Sequence, residues 1–433
     1  MFSIFGYILF IIFTILSLKY IFSATAFVKD PIEKNQMMTV TGSQRFFLFL
    51  LATGIFSLGD MMAARLLFNI IFCFMAIFYC KEGVIKNAVF VLYVLYLIWL
   101  IIAIGYSPVP FFGIRVFLKY LYPILVFALA TQLVSSKKFV FKGLKTIIWV
   151  GVAGILFLVF LGQIPFIKKI AYAIFWWPPA IMDFLPTAIC VSLALFSFLH
   201  KKNYLWIALL FVLPCIVGVN RTGLVSASLA IVMFSVIRYR FKSLPYIVAG
   251  IALFALVVLY VPEFREKMFV KKGMTTEDIL TQRNDLTLDD INSNGRFVMW
   301  EWSLARFYMP HKWTGSGLGV LQEVFYSYKH PFGTIRIVHN DYVQILCDTG
   351  LIGLILYLLI YIFLFIHSIR LAWNKSNPVS LRIVAIITGP SAISMLAAMY
   401  TDNVVNYSLM TLSYPFALYG LMVGLEKRLK NPN

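Results

Sequence analysis

The chain has 433 residues, 61% hydrophobic and only 13% charged, with a mean hydropathy of +0.88. A soluble domain is nearer half apolar and a quarter charged, so the composition excludes that class and predicts an all-α polytopic membrane protein. The net charge of +19 comes from 37 Lys and Arg against 18 Asp and Glu. It is concentrated in short connections, as the positive-inside bias requires, which argues against a nucleic-acid partner.

Apolar runs of about 20 residues suffice to cross the hydrocarbon layer. They predict spans at 2–23, 44–58, 61–80, 87–105, 112–134, 145–162, 180–199, 203–218, 222–237, 244–261, 343–367, 381–400 and 404–424. Segment 44–80 reads either as two spans or as one broken element, giving twelve or thirteen transmembrane helices. The first run lacks a basic start and a small-residue cleavage site, so it is a retained span rather than a signal peptide. Lys81 and Lys86, Lys137 to Lys145, Lys201 and Lys202, Arg238 to Lys242, Arg370 to Arg382, and Lys427 to Lys430 mark every second connection. That alternation puts these connections and the C-terminus in the cytoplasm and the others outside.

Between an N-terminal helix bundle, 1–261, and C-terminal helices, 343–433, lies one long outer loop, 262–342. It is too long for a link and so is expected to be functional. Its first part, "PEFREKMFVKKGMTTEDILTQRNDLTLDD", is charged and reads as a flap. Its second part, "SNGRFVMWEWSLARFYM", sets Phe297, Trp300, Leu304 and Phe307 at helical spacing, predicting an amphipathic helix on the outer membrane surface. The chain has no internal repeat and no low-complexity segment.

Three charged residues fall at predicted outer helix starts: Arg221 in "GVNRTGL", Arg296 in "SNGRF" and His339 in "VHNDY". A cation there faces the positive end of the helix dipole, a penalty of roughly 0.3–1 kcal/mol that a bound anion would relieve. Free backbone N–H groups with guanidinium forks suit a phosphate or pyrophosphate. The plainer reading has the arginines reaching to lipid headgroups. A helix start and nearby arginines disfavour an imidazolium, so His339 is expected to be neutral and fit for general-base work; the alternative is a simple helix cap.

Other signals are weaker. "TGSGLG", with Gly315, Gly317 and Gly319, follows no predicted strand and reads as a tight turn rather than a dinucleotide loop. "WWPP" at Trp176 to Pro179 reads as interfacial anchoring or as a platform for sugar rings, and Asp402 and Asn403 as caps or sugar contacts. The five cysteines lack metal-ligand spacing. Paired carboxylates, a metal-ligand cluster, a P-loop and a nucleophile elbow are all missing from the sequence pattern.

Taken in order, "NRTG", "GRFVMWEWSLARF", "GSGLG" and "HNDYVQILCDTGLIGLILYLL" resemble the O-antigen ligase and polymerase superfamily over about 220–365. The resemblance implies an inverting glycosyltransferase of the bacterial inner membrane, independent of metal and cofactor, whose active site faces the periplasm. Its donor would be a glycan on undecaprenyl pyrophosphate and its acceptor a second glycan. Arg221 and Arg296 would bind the pyrophosphate, and His339 would act as base on the acceptor hydroxyl. Arg336, Asn340, Asp341 and Tyr342 become candidate glycan or phosphate contacts, as do Lys329, His311 and His330. Arg65, Arg115 and Lys119 would hold the diphosphate or the lipid carrier from neighbouring outer ends. The "HNDY" and "GLIG" arrangement favours the repeat-unit polymerase, with membrane lipids and a chain-length regulator as further partners. The alternatives are a ligase acting on lipid A–core, and a transporter of lipid-linked oligosaccharides.

Overall fold

Every apolar run meets a helix. The computed structural model describes residues 2–33, 36–56, 58, 61–80, 87–157, 164–166, 181–217, 220–260 and 295–430. The charged flap at 262–290 and the Trp176 to Pro179 platform lie outside those residues. The helices are α1 (Phe2–Ile21), α2 (Gly42–Thr53), α3 (Met62–Cys80), α4 (Ala88–Gly105), α5 (Pro110–Leu133), α6 (Lys137–Ile155), α7 (Ile181–Leu199) and α8 (Lys202–Val217). They continue with α9 (Arg221–Tyr239), α10 (Leu244–Tyr260), α11 (Arg296–Ser303), α12 (Val320–Tyr326), α13 (Asp341–Trp373), α14 (Val379–Thr401) and α15 (Ser413–Lys430).

Thirteen of these coincide with the predicted spans, and 44–80 is two helices rather than one. Eight of the described helices, α1, α3, α4, α5, α7, α9, α13 and α14, are long and apolar enough to cross a membrane. The rest fall short for plain reasons. Helix α2 has 12 residues, α8 has 16 and α10 has 17. Helix α6 carries Lys137, Lys138, Lys142 and Lys145, because Ser136 caps it well before the apolar run begins, accepting from Phe139 N at 3.3 Å. The last span starts late: 404–412 form a 3-10 helix and turns, and α15 begins at Ser413.

Helix α12 and one β hairpin lie outside the predicted elements. Strands β1 (Ala26–Lys29) and β2 (Met37–Val40) form an antiparallel hairpin between α1 and α2. Asp30 organises its turn, accepting from Ile32 N at 2.7 Å and Glu33 N at 3.0 Å, and pairs with Lys138 of α6. Desolvation alone would raise this carboxyl, but the Lys138 hydrogen bond and the two N–H donors overcome it and hold the pKa at about 2. A depressed carboxylate stabilises the fold above its unfolded pKa and loses that contribution as pH falls through the folded value. The melting-temperature gap between the native protein and Asp30→Asn is therefore expected to be constant above about pH 4 and to close towards pH 2. A gap unchanged down to pH 2 would show that the ion pair contributes nothing.

Close helix contacts run through small residues. A Cβ on Gly420 would lie 2.5 Å from Phe127 O, and one on Gly424 2.6 Å from Thr131 O, so α15 lies directly on the backbone of α5. This small-xxx-small spacing is the usual solution where lipid gives helices no hydrophobic reason to associate. Beside it, Tyr96, Tyr120 and Tyr357 join α4, α5 and α13, with ring centroids 5.2–5.7 Å apart.

Helix α13 is broken at Gly350, where φ is 66° and ψ is −167°. In a membrane each freed backbone group needs a partner. The "TGSGLG" turn supplies them: Ser316 N donates to Cys347 O at 2.8 Å and Gly317 N to Asp348 O at 3.1 Å. Trp99 Nε1 reaches Thr349 O at 3.0 Å. On the far side, Leu351 N and Ile352 N donate to Lys312 O and Trp313 O at 2.9 and 3.2 Å. Gly315, Gly317 and Gly319 all have positive φ, as a turn this tight demands. The Asp348 carboxylate accepts from Gly319 N at 3.1 Å and Leu321 N at 3.0 Å, fixing the start of α12.

Candidate functional site

The C-terminal end of α14 gathers the residues that the sequence singled out. Asn220 caps α9, its side chain accepting from Gly223 N at 2.7 Å. That places Arg221 in the first turn, where Thr222 Oγ1 meets Thr401 Oγ1 at 2.8 Å. Arg296, following the left-handed Gly295, opens α11 and donates from its guanidinium to Thr401 O. Thr222, next to Arg221, and the Arg296 guanidinium thus meet at Thr401 from separate elements.

Burial lowers the Arg296 pKa from its ordinary value. The carboxylate of Asp402 opposes that shift, while the like charge of Arg221 adds to it. The like charges repel, and a bound anion would relieve that repulsion.

His339 lies between α12 and α13 in the left-handed region, with φ at 52°. Its backbone N–H donates to Asn403 Oδ1 at 2.6 Å, and its Nδ1 lies 3.3 Å from Asp402 Oδ1. The ring and its carboxylate keep about a third and a quarter of their side-chain surfaces exposed, 31% and 24%. A carboxylate within reach of Nδ1 can fix the ring orientation and the tautomer that leaves Nε2 as an acceptor. The acid beside this ring is not the neighbouring Asp341 but Asp402, far along the sequence.

Asn403 is the clamp beneath. It is fully buried, which removes it from sugar contact, and its Nδ2 donates to Asp341 Oδ1 and Gln344 Oε1, each at 3.1 Å. Asp341 also accepts from Val405 N at 3.2 Å, and Asn340 caps α13 through Val343 N at 3.0 Å. Asn340 and Asp341, read as substrate contacts, are buried and spent on holding His339 and Asp402 in place. Tyr342 donates to Leu396 O at 2.7 Å, tying α13 to α14.

The remaining candidates divide. Lys119 joins the group, its Nζ bonding Asn406 Oδ1 and approaching Gln322 Oε1 at 3.4 Å. Arg336 lines a small cleft with Gln322, Gln344 and Asn406, and its Nε donates to Tyr328 OH. Arg115 instead lies over the rings of Phe111 and Phe112, 4.6 and 5.5 Å from their centroids. Arg65 is buried elsewhere, donating to Thr53 O and facing Phe13. Lys329 pairs with Glu323 at 2.7 Å, and His330 stacks on Phe325 with its Nδ1 accepting from Phe332 N at 3.1 Å. His311 is exposed and accepts from Gly315 N through its carbonyl at 2.7 Å.

Helix α11 differs from the free surface helix expected. Met299, Trp300 and Ser303 are its buried face, while Phe297 is 39% exposed. Trp300 Nε1 donates to Val338 O at 2.8 Å, so the helix braces the residue next to His339. A π turn at Leu304–Tyr308 breaks the predicted stripe.

Fold and site together define an α-helical, multi-pass membrane protein with a basic, carboxylate-backed histidine centre at one end of the bundle. A family model described as O-antigen ligase matches residues 206–358. The matched segment contains Arg221, Arg296 and His339 and stops short of Asp402. No curated protein matches the chain.

Proposed function

We propose that the protein polymerises oligosaccharide repeat units carried on undecaprenyl pyrophosphate, at the periplasmic face of the inner membrane. The observation that carries this reading is the meeting of Thr222, next to Arg221, with Arg296 at Thr401, beside the His339–Asp402 pair on the turn that follows α14. The acceptor hydroxyl gives its proton to His339 Nε2, and its oxygen attacks the anomeric carbon from the face opposite the pyrophosphate, inverting that centre. The bond from carbon to pyrophosphate oxygen breaks, and the electron pair leaves with the lipid pyrophosphate. Arg221 and Arg296 stabilise that negative charge where water is partly excluded, in general the largest catalytic contribution. Asp402 holds the ring and balances its positive charge until the proton leaves.

A ligase, the activity in the matching family's description, uses the same chemistry with a different acceptor. The test is a reconstituted reaction with a lipid-pyrophosphate-linked repeat unit, with and without lipid A–core. A ladder of multiples from donor alone supports the polymerase. One product formed only with lipid A–core gives the ligase. Intact donor crossing the vesicle membrane without product gives a transporter.

Arg296→Lys is expected to reduce turnover by about 10²-fold, because a point charge cannot reproduce a bidentate fork and one lost oxyanion donor costs about that much. Unchanged turnover would return Arg296 to a structural role at Thr401. Because guanidinium groups carry the charge in this scheme, activity is expected to survive EDTA; a loss restored by added divalent metal would overturn the scheme.

A further inference from the structure

The bundle carries a second polar site, at the end opposite His339. A cavity of about 530 Å³ opens among the last residues of α1, α3, α5 and α15 and the first turn of α2. Helix α5 connects the two ends: Lys119 lies beside the histidine centre and Leu133 lines the cavity, separated by a helical rise of roughly 21 Å. The volume is in the range of small-ligand sites, about 300–1,000 Å³.

The wall is polar and basic. Thr25, Thr41, Ser43 and Ser135 are its hydroxyl-bearing lining residues besides Ser23, whose Oγ is taken by Tyr20 O and Arg45, and no Asp or Glu is among its described lining residues. Arg428 lines it, is exposed, and has no carboxylate partner among the described residues. The neighbouring acid, Glu426, is already engaged by His367 at 3.0 Å and Lys430 at 2.7 Å. Gln132 Oε1, also in the wall, is buried without a hydrogen-bond partner, an acceptor suited to a hydroxyl. One cation with several hydroxyl donors and a buried acceptor matches a phosphate ester that carries hydroxyl groups.

The rim is apolar. Phe22 and Tyr79 are 61% and 63% exposed, and their rings meet edge to face at 6.4 Å. Such rings mark the depth where lipid headgroups begin. Beside them Arg45 donates to Ser23 Oγ and Ala24 O, and Lys137 and Lys138 begin α6. Basic pockets between helix ends on the positively charged side of a membrane protein are where anionic headgroups bind.

We propose that this cavity binds the phosphoglycerol headgroup of an anionic phospholipid. Arg428 takes the phosphate, Gln132 accepts from a glycerol hydroxyl, and the acyl chains run along the exposed side of α1. The ligand sits at the end of the bundle away from catalysis, so its test needs no substrate.

The test is lipid binding by native mass spectrometry of the detergent-solubilised full chain. Dioleoylphosphatidylglycerol is the probe, with dioleoylphosphatidylcholine and free glycerol 3-phosphate compared. The expected result is retention of phosphatidylglycerol over phosphatidylcholine, weakened about five- to tenfold by Arg428→Gln. The control Lys137→Gln, an exposed basic residue outside the cavity wall, is expected to leave binding unchanged. Equal losses in both variants, or none in Arg428→Gln, would overturn the site in favour of diffuse attraction. Glycerol 3-phosphate binding as tightly as the lipid would overturn the lipid assignment and leave a soluble phosphate ester as ligand.

Discussion

His339→Ala is expected to lose about 10²- to 10⁴-fold in transfer rate, the usual worth of a positioned general base. The fold is expected to tolerate the change. The side chain is partly exposed, and the bond tying this residue to Asn403 comes from its backbone N–H. Because φ is 52° here, His339→Asn is the better structural control, as asparagine accepts the left-handed region more readily than alanine. Asp402→Asn separates orientation from charge: it keeps a hydrogen-bonding group on Nδ1 and removes the counter-charge. Its expected rate lies between that of the native protein and that of the alanine variant. Single-turnover kinetics on the reconstituted protein measure all three, with thermal melts as the folding check. Native rates in His339→Ala would end the general-base account, and native rates in Asp402→Asn would leave Asp402 as a cap.

Gly350→Ala is expected to prevent stable folding rather than to slow catalysis. A Cβ there would sit 2.3 Å from both Trp313 C and Trp313 O, and these are backbone atoms that no rotamer change can move. The left-handed conformation alone costs a non-glycine residue of order 1–3 kcal/mol. Moving the 312–317 segment aside would also strand Cys347 O, Asp348 O, Leu351 N and Ile352 N in an apolar setting. Yield and melting temperature in detergent are the readouts. A variant with native melting behaviour would show that the break in α13 relaxes into a continuous helix at little cost. Gly250, with nothing within 4 Å of an added Cβ, is the matched control and is expected to accept alanine.

Apolar run length set the helices, because a chain in lipid must satisfy its backbone within each segment. The boundaries moved where polar side chains intervened: Ser136 starts α6 ahead of its apolar run. The residues after Asn403 are held in turns by Asp341 and so delay α15. The hairpin at 26–40 left no trace in apolar periodicity, since its stability comes from Asp30 and its partner on a distant helix.

For the site, charge at helix starts was enough to select Arg221, Arg296 and His339, because such residues are costly there without a reason. Asp341 and Asn340 carried the same polar signal and were read as ligand contacts, yet their burial makes them supports. Asp402 was the residue that the sequence undervalued. It stands 63 positions from its histidine, and only the packing of α14 against α13 brings the two within 3.3 Å. The sequence by itself determined a membrane-spanning helical chain and the chemical types available at one end, since both follow from local composition. Which of those groups touch, which are buried and which are merely braces was decided by tertiary packing, because hydrogen-bond reach is a few ångströms and sequence separation does not measure it.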